Sequence, residues 1–166
     1  TVMFSKIAVV HKTDGNFFLS FRVGNMRRRQ LMGTTINAML VKTKLTAEGE
    51  LISFFHEHLD ITTEGKDDLY LLAWPVVVFH KIDKNSPLWN ISPEELLVAD
   101  FEIIVVLEAS CEATGGSIQV RTSYLPSEIQ WGYKLAPLMT KYKVDDNYGK
   151  YNIDFTEFNK IVPMDT

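Results

Sequence analysis

Apolar and polar residues alternate with period two along most of this chain, the signature of strands that bury one face. Between Asn16 and Gly24, Phe17, Leu19, Phe21 and Val23 fall on one side, with Ser20 and Arg22 on the other. Asp14-Gly15, just before this run, has hairpin-turn chemistry and pairs it with a strand over Ile7–His11. Further strands are predicted over Thr34–Lys42, Leu51–Leu59, Leu69–Ile82, Asp100–Glu108, Ser117–Thr122 and Lys150–Phe155. Turn residues separate them at Thr46-Ala47-Glu48-Gly49, Asn85-Ser86-Pro87 and Gly115-Gly116. Pro75, inside the longest of these runs, implies a bulge, a bend or an edge, because it has no N–H to give to a ladder.

Helical periodicity is confined to short pieces. Ser92-Pro93-Glu94-Glu95 supplies an N-cap serine, a proline at the first helical position and a capping-box glutamate. That helix is expected to end at Val98 or Ala99, and a second single turn begins at Ser127. About eight short strands with two helical fragments predict an all-β sandwich of immunoglobulin-like type. The lack of a Cys…Trp…Cys pattern excludes the disulfide-pinned version of it.

Composition narrows this further. A chain of 166 residues that is 46% apolar can build a core without disulfide or metal staples. No repeat, low-complexity tract or linker divides it, so residues 1–166 are expected to form a single domain. The lone Cys111 rules out an internal disulfide framework and favours a reducing compartment. The longest uncharged apolar stretch, Leu69 to Phe79, is 11 residues and contains Pro75, where a membrane-spanning helix needs roughly 20. The opening residues hold no signal peptide and do not start at methionine, so the chain reads as a piece of a larger protein. Net charge is −4, which argues against nucleic-acid binding, but residues 1–50 carry 8 Lys+Arg against 3 Asp+Glu while the remainder carries 9 against 18. A basic part and an acidic part point to two different partners.

Catalytic chemistry is sparse, and no enzyme is expected. His56-Glu57-His58 puts two imidazoles on one face of a strand, which could hold zinc only with a third ligand from elsewhere; no metal site is expected. Cys111 lies between Glu108 and Glu112, and neighbouring carboxylates disfavour a thiolate. His80 reads as a partly buried, hydrogen-bonded histidine. Phosphate-cradling glycine loops, HExxH and GxSxG are all missing. More content lies in Arg27-Arg28-Arg29, at the exit of the strand that ends at Val23-Gly24, where three guanidiniums can face one anionic surface. Its acidic counterpart is Glu64 with Asp67-Asp68, together with Glu108 and Glu112, Glu108 being placed at the end of the apolar strand Ile103–Leu107. On these features alone, an interaction module of a soluble protein, holding an anionic partner through Arg27–Arg29, is the alternative reading.

Phe4-Ser5-Lys6 with Ala8-Val9, Phe21-Arg22-Val23-Gly24-Asn25-Met26-Arg27, Glu48-Gly49-Glu50, His80-Lys81-Ile82-Asp83, Ser86-Pro87-Leu88, Phe101-Glu102-Ile103, Val105-Val106-Leu107-Glu108, Glu112-Ala113-Thr114, Arg121-Thr122-Ser123-Tyr124 and Glu128-Ile129-Gln130-Trp131-Gly132-Tyr133 occur in order over nearly the whole chain. Together they resemble the cytoplasmic C-terminal domain of inward-rectifier potassium channels. The resemblance implies an immunoglobulin-like sandwich assembled as a four-fold homo- or heterotetramer. It would extend the potassium pathway on the cytoplasmic side of a membrane, expected to be the plasma membrane.

By the same resemblance, Glu108 would face the pore and attract polyamines and magnesium. Asp68 and Glu64 would form a second acidic ring, with Glu112 at the edge of the loop that follows Glu108. Glu108-Ala109-Ser110-Cys111-Glu112 would be the narrow gate loop. Arg27 and Arg28 would serve activation by inner-leaflet phosphoinositide, and Arg121 would help to hold the gating network. No resident cofactor is implied. Gly33 stands where strongly rectifying members have glutamate, implying one acidic ring fewer and less steep rectification. Asn25 stands where sodium-activated members have aspartate, which implies no direct sodium activation through that position.

Overall fold

The computed structural model describes residues 2–25, 31–63, 72, 74–111, 114–138, 140–145, 148–153 and 155–164, with backbone alone between 140 and 153. Its strands are β1 (Val2–Phe4), β2 (Ala8–Thr13), β3 (Asn16–Asn25), β4 (Leu31–Leu45), β5 (Leu51–Leu59), β6 (Thr62–Thr63), β7 (Val76–Ile82), β8 (Glu102–Cys111), β9 (Ser117–Tyr124), β10 (Ile129–Trp131), β11 (Tyr133–Leu135), β12 (Thr140–Asp145), β13 (Tyr148–Ile153) and β14 (Ile161–Pro163). One helix, α1 (Pro93–Val98), and two 3-10 turns, Pro126–Glu128 and Phe155–Glu157, complete the described elements.

Two sheets stack as a sandwich. One has the order β10-β2-β3-β7-β6 with β1 beside β3, and the other the order β5-β4-β8-β9. Alternation decides which side chains meet between them: Leu19, Phe21 and Val23 of β3 face Ile36, Ala38 and Leu40 of β4 and Ile103, Val105 and Leu107 of β8 within one apolar core. Phe21 and Tyr124 meet there with ring centroids 5.6 Å apart. Each large side chain so buried contributes about 1.5–3 kcal/mol. The Tyr124 hydroxyl donates to the Ser5 carbonyl at 2.7 Å, and burial pushes its phenol well above the ordinary tyrosine range.

The expected β2–β3 hairpin forms, with Asp14 at φ +53° and Gly15 at φ +81°, both in the left-handed region that a two-residue hairpin turn requires. Ser92 caps α1 by accepting from the Glu95 amide at 3.1 Å, and the second helical fragment is the 3-10 turn Pro126–Glu128.

Three expectations are corrected. Of the strand predicted over Leu69–Ile82, only Val76–Ile82 is strand among the described residues: Leu72 is buried and gives its N–H to the Leu31 carbonyl at 3.3 Å, and Pro75, which has no N–H for a ladder, precedes β7. The strand predicted over Lys150–Phe155 ends at Ile153, and Phe155 opens a 3-10 turn. The strand predicted to end at Glu108 continues to Cys111, because Ala109 and Cys111 extend the inward-facing series and pair with β9 and β4.

Candidate functional site

Of the residues singled out for charge, the outward face of the four-stranded sheet holds Glu108 and Arg121. Along β8, Glu102, Ile104, Val106, Glu108 and Ser110 point away from the core, and the opposed residues on β9 are Ser123 beside Ile104, Arg121 beside Val106, Gln119 beside Glu108 and Ser117 beside Ser110. On the other side of β8, Thr35 of β4 opposes Glu108 and Met32 opposes Ser110. Between those two pairs β4 spends two residues, Gly33 and Thr34, against Ala109 alone. This is a β-bulge, and Gly33 sits in it at φ +62°, where any side chain is disfavoured.

Glu108 is exposed and lines a depression of about 440 Å³ together with Gly33, Thr35, Ser110, Ser117 and Gln119. Gln119 Nε2 donates to Glu108 Oε1 at 2.9 Å. The other carboxylate oxygen takes no hydrogen bond and no ion pair among the described residues. Held by that one neutral amide, the carboxylate faces the depression. Acting alone, it attracts a monovalent cation about 8 Å away by only about 0.5 kcal/mol in water-like dielectric.

The other sequence-derived site residues divide between those the structure brings to this face and those it does not. Ser110 shares it with Glu108, but Ala109 is buried in the core and Cys111 packs partly against it. Of the expected loop Glu108–Glu112, the residues from Glu108 to Cys111 are therefore the last rungs of β8 and Glu112 lies outside the described residues; the turn that follows closes with Cys111 N–H to Gly116 O at 2.8 Å and Gly115 N–H to Cys111 O at 2.9 Å. Arg121 is exposed on the same face as Glu108, one rung pair along, and among the described residues no ion pair joins them. Arg27, Arg28 and Arg29, which follow β3, lie outside the described residues, as do Glu64, Asp68 and Glu112.

His56 and His58 are exposed on one face of β5, opposite Val41 and Met39. Among the described residues no group of three His, Cys, Asp or Glu is close enough to hold a metal ion. His80 is buried: its Nδ1 bonds the Asp60 carbonyl at 2.7 Å and its Nε2 the Ser86 hydroxyl at 2.7 Å. Because a carbonyl only accepts, Nδ1 carries the proton and Nε2 accepts from Ser86. The Ser86 oxygen in turn accepts the Leu88 amide at 3.1 Å. Burial holds the His80 pKa below its ordinary value, against the opposing pull of Asp60.

Arg22 is a structural centre that alternation alone placed on a polar face. It is 3% exposed, and its Nη1 donates to the carbonyls of Phe158 at 2.8 Å and Glu157 at 3.3 Å while Nη2 donates to that of Ala136. The guanidinium also lies 5.8 Å from the Phe158 ring centre. Two positions along, Gly24 lets Phe158 approach so closely that an added Cβ would stand 2.9 Å from its ring. No helix among the described residues is long and apolar enough to cross a membrane.

Comparison with known proteins bears on the same chain. Residues 2–166 match the family described as "Inward rectifier potassium channel C-terminal domain". Over 166 residues the chain is 37% identical to "G protein-activated inward rectifier potassium channel 2" of Homo sapiens, covering 100% of this chain and 38% of that protein. Over 160 residues it is 37% identical to "ATP-sensitive inward rectifier potassium channel 14" of Rattus norvegicus, covering 96% of this chain and 36% of that one. The chain thus spans less than two-fifths of the length of these relatives, whose names describe channels rather than enzymes. The match over residues 2–166 makes this chain a member of the inward rectifier potassium channel C-terminal domain family.

Proposed function

We propose that this chain is a cytoplasmic module of an inward-rectifier potassium channel at the plasma membrane, assembled as a four-fold homo- or heterotetramer around a continuation of the ion pathway. The observation that carries the reading is Glu108: exposed, fixed by Gln119 and open to the depression on the outer sheet face. Four such carboxylates around one axis would supply about 2 kcal/mol per unit of cation charge at the same distance. A polyvalent blocker multiplies that by its charge. One copy concentrates almost nothing, and a ring concentrates potassium, magnesium and polyamines.

Asp68 and Glu64 would contribute a second ring farther along the passage, and Glu112 would add charge beyond Ser110. Gly33 removes a carboxylate that would otherwise line the same depression as Glu108, so rectification should be shallower than with both. The end of β8, from Ala109 to Cys111, would set the width of the passage at its membrane side, with Arg121 bracing that region. Arg27 and Arg28 would meet inner-leaflet phosphoinositide; with Arg29 they offer about 3 kcal/mol per chain at about 1 kcal/mol for each basic residue. Four copies in one plane convert that reversible attraction into stable docking.

The test is potassium current from the complete channel containing this chain. Glu108→Gln should weaken voltage-dependent spermine block, and unchanged block would overturn the pore-facing role. Arg27→Gln with Arg28→Gln should lower current at limiting phosphoinositide in excised patches. Currents equal to the parent's would overturn the lipid role.

A further inference from the structure

We propose that the outer face of the six-stranded sheet, on the opposite side of the sandwich from Glu108, holds a binding site for a small organic carboxylate with an aromatic body. It does not rest on the channel reading. A cavity of about 510 Å³ opens there between β2, β3 and β7 on one side and β11 on the other. That is the size of an ordinary small-ligand site.

Its floor is aromatic. His11 stacks on Phe18 at 5.9 Å and meets Phe79 edge-on at 6.4 Å, and Phe18 and Phe79 meet edge-on at 6.2 Å. Both imidazole nitrogens of His11 are taken up within the chain, Nδ1 by the Thr13 hydroxyl and Nε2 by the Ser20 hydroxyl, each at 3.1 Å. Burial, and then the nearby Lys134 ammonium, hold the His11 pKa below its ordinary value, so the ring is neutral at pH 7.

Lys134 is therefore the charged group in the wall at that pH. It is exposed and makes no ion pair or side-chain hydrogen bond among the described residues. A mainly apolar chamber whose wall holds, among the described residues, one ammonium without an ion pair selects for chemistry. An amine would be repelled, and a phosphate dianion would find a single cation where it needs several donors. A monocarboxylate can place its ring on Phe18 and Phe79 and its charge at Lys134.

The probes are 4-phenylbutyrate and its uncharged amide, 4-phenylbutyramide, titrated into the 166-residue chain by calorimetry and ligand-observed NMR. The carboxylate should bind one to one and about ten-fold tighter than the amide. Lys134→Met should bring the carboxylate down to the affinity of the amide. Thr13→Trp, at an exposed strand end, should fill the chamber and abolish both, with the melting temperature of each variant showing that the fold is kept. Equal affinity for the two probes would overturn the site, as would carboxylate binding that survives both substitutions, or no saturable binding of either probe in the millimolar range.

Discussion

On the outer face of the six-stranded sheet, Arg22 is buried and gives its N–H groups to the carbonyls of Ala136, Glu157 and Phe158. On the outer face of the four-stranded sheet, Glu108 stands exposed beside a single amide. The first charge acts within one chain. Removed from water, it has strong hydrogen bonds and ties β3 to the segment around Phe158, and it would be costly to remove. The second does almost nothing within one chain, because water screens it. Under the proposed assembly, several copies would act together. Burial makes a charge structural, whereas exposure leaves it free to act on something that passes by.

The largest effect expected from this contrast falls on Arg22. Arg22→Met takes the guanidinium away from three carbonyls, of which that of Glu157 keeps the Lys160 N–H, and should cost about 3 kcal/mol or more, read as a lower urea midpoint. Arg22→Lys should recover only part of the loss, since an ammonium cannot reproduce the planar fork. An Arg22→Met chain as stable as the parent would break the comparison.

A smaller effect is expected from pH. His80 and His11 both have pKa values lowered in the fold, so below pH 6.5 the unfolded chain takes up protons that the folded chain refuses. Stability should be level from pH 8 to 7 and then fall as pH drops through 6.5 toward the lower folded values, as measured by urea unfolding at each pH. A midpoint that rose over that interval would contradict the neutral His80 drawn between Asp60 and Ser86. The smallest effect belongs to Glu108. Glu108→Gln in the isolated chain should change stability by less than about 0.5 kcal/mol, and a loss of several kcal/mol would make it a structural residue after all.

Much of the sandwich was legible in the sequence because period-two alternation is strong wherever one face is buried, as in β3, β8 and β9. Alternation did not place Glu108 on the outer face; its exposure there comes from the structure. Other features were not legible, for identifiable reasons. β8 was read as ending at Glu108 because a charge there looked like a terminus, yet Ala109 and Cys111 continue the inward series. β1, β6, β10, β11 and β14 have only two or three residues each, too few to show a period. Arg22 looked like a solvent-facing charge, and only the return of the chain at Ala136 and Phe158, more than a hundred residues later, buries it. The Gly33 bulge carries no signal beyond the glycine itself. The basic run and the second acidic group were conspicuous in sequence but lie outside the described residues.

The most direct test of the central claim is where four copies of Glu108 stand relative to one another. In a Cys111→Ser background, a spin label on Glu108→Cys in the assembled complete channel should give two short separations in the side-to-diagonal proportion of a square. A label on Thr13→Cys, on the opposite outer face, should give longer ones. Separations at position 108 that exceed those at position 13, or that lack the square's proportion, would contradict the account.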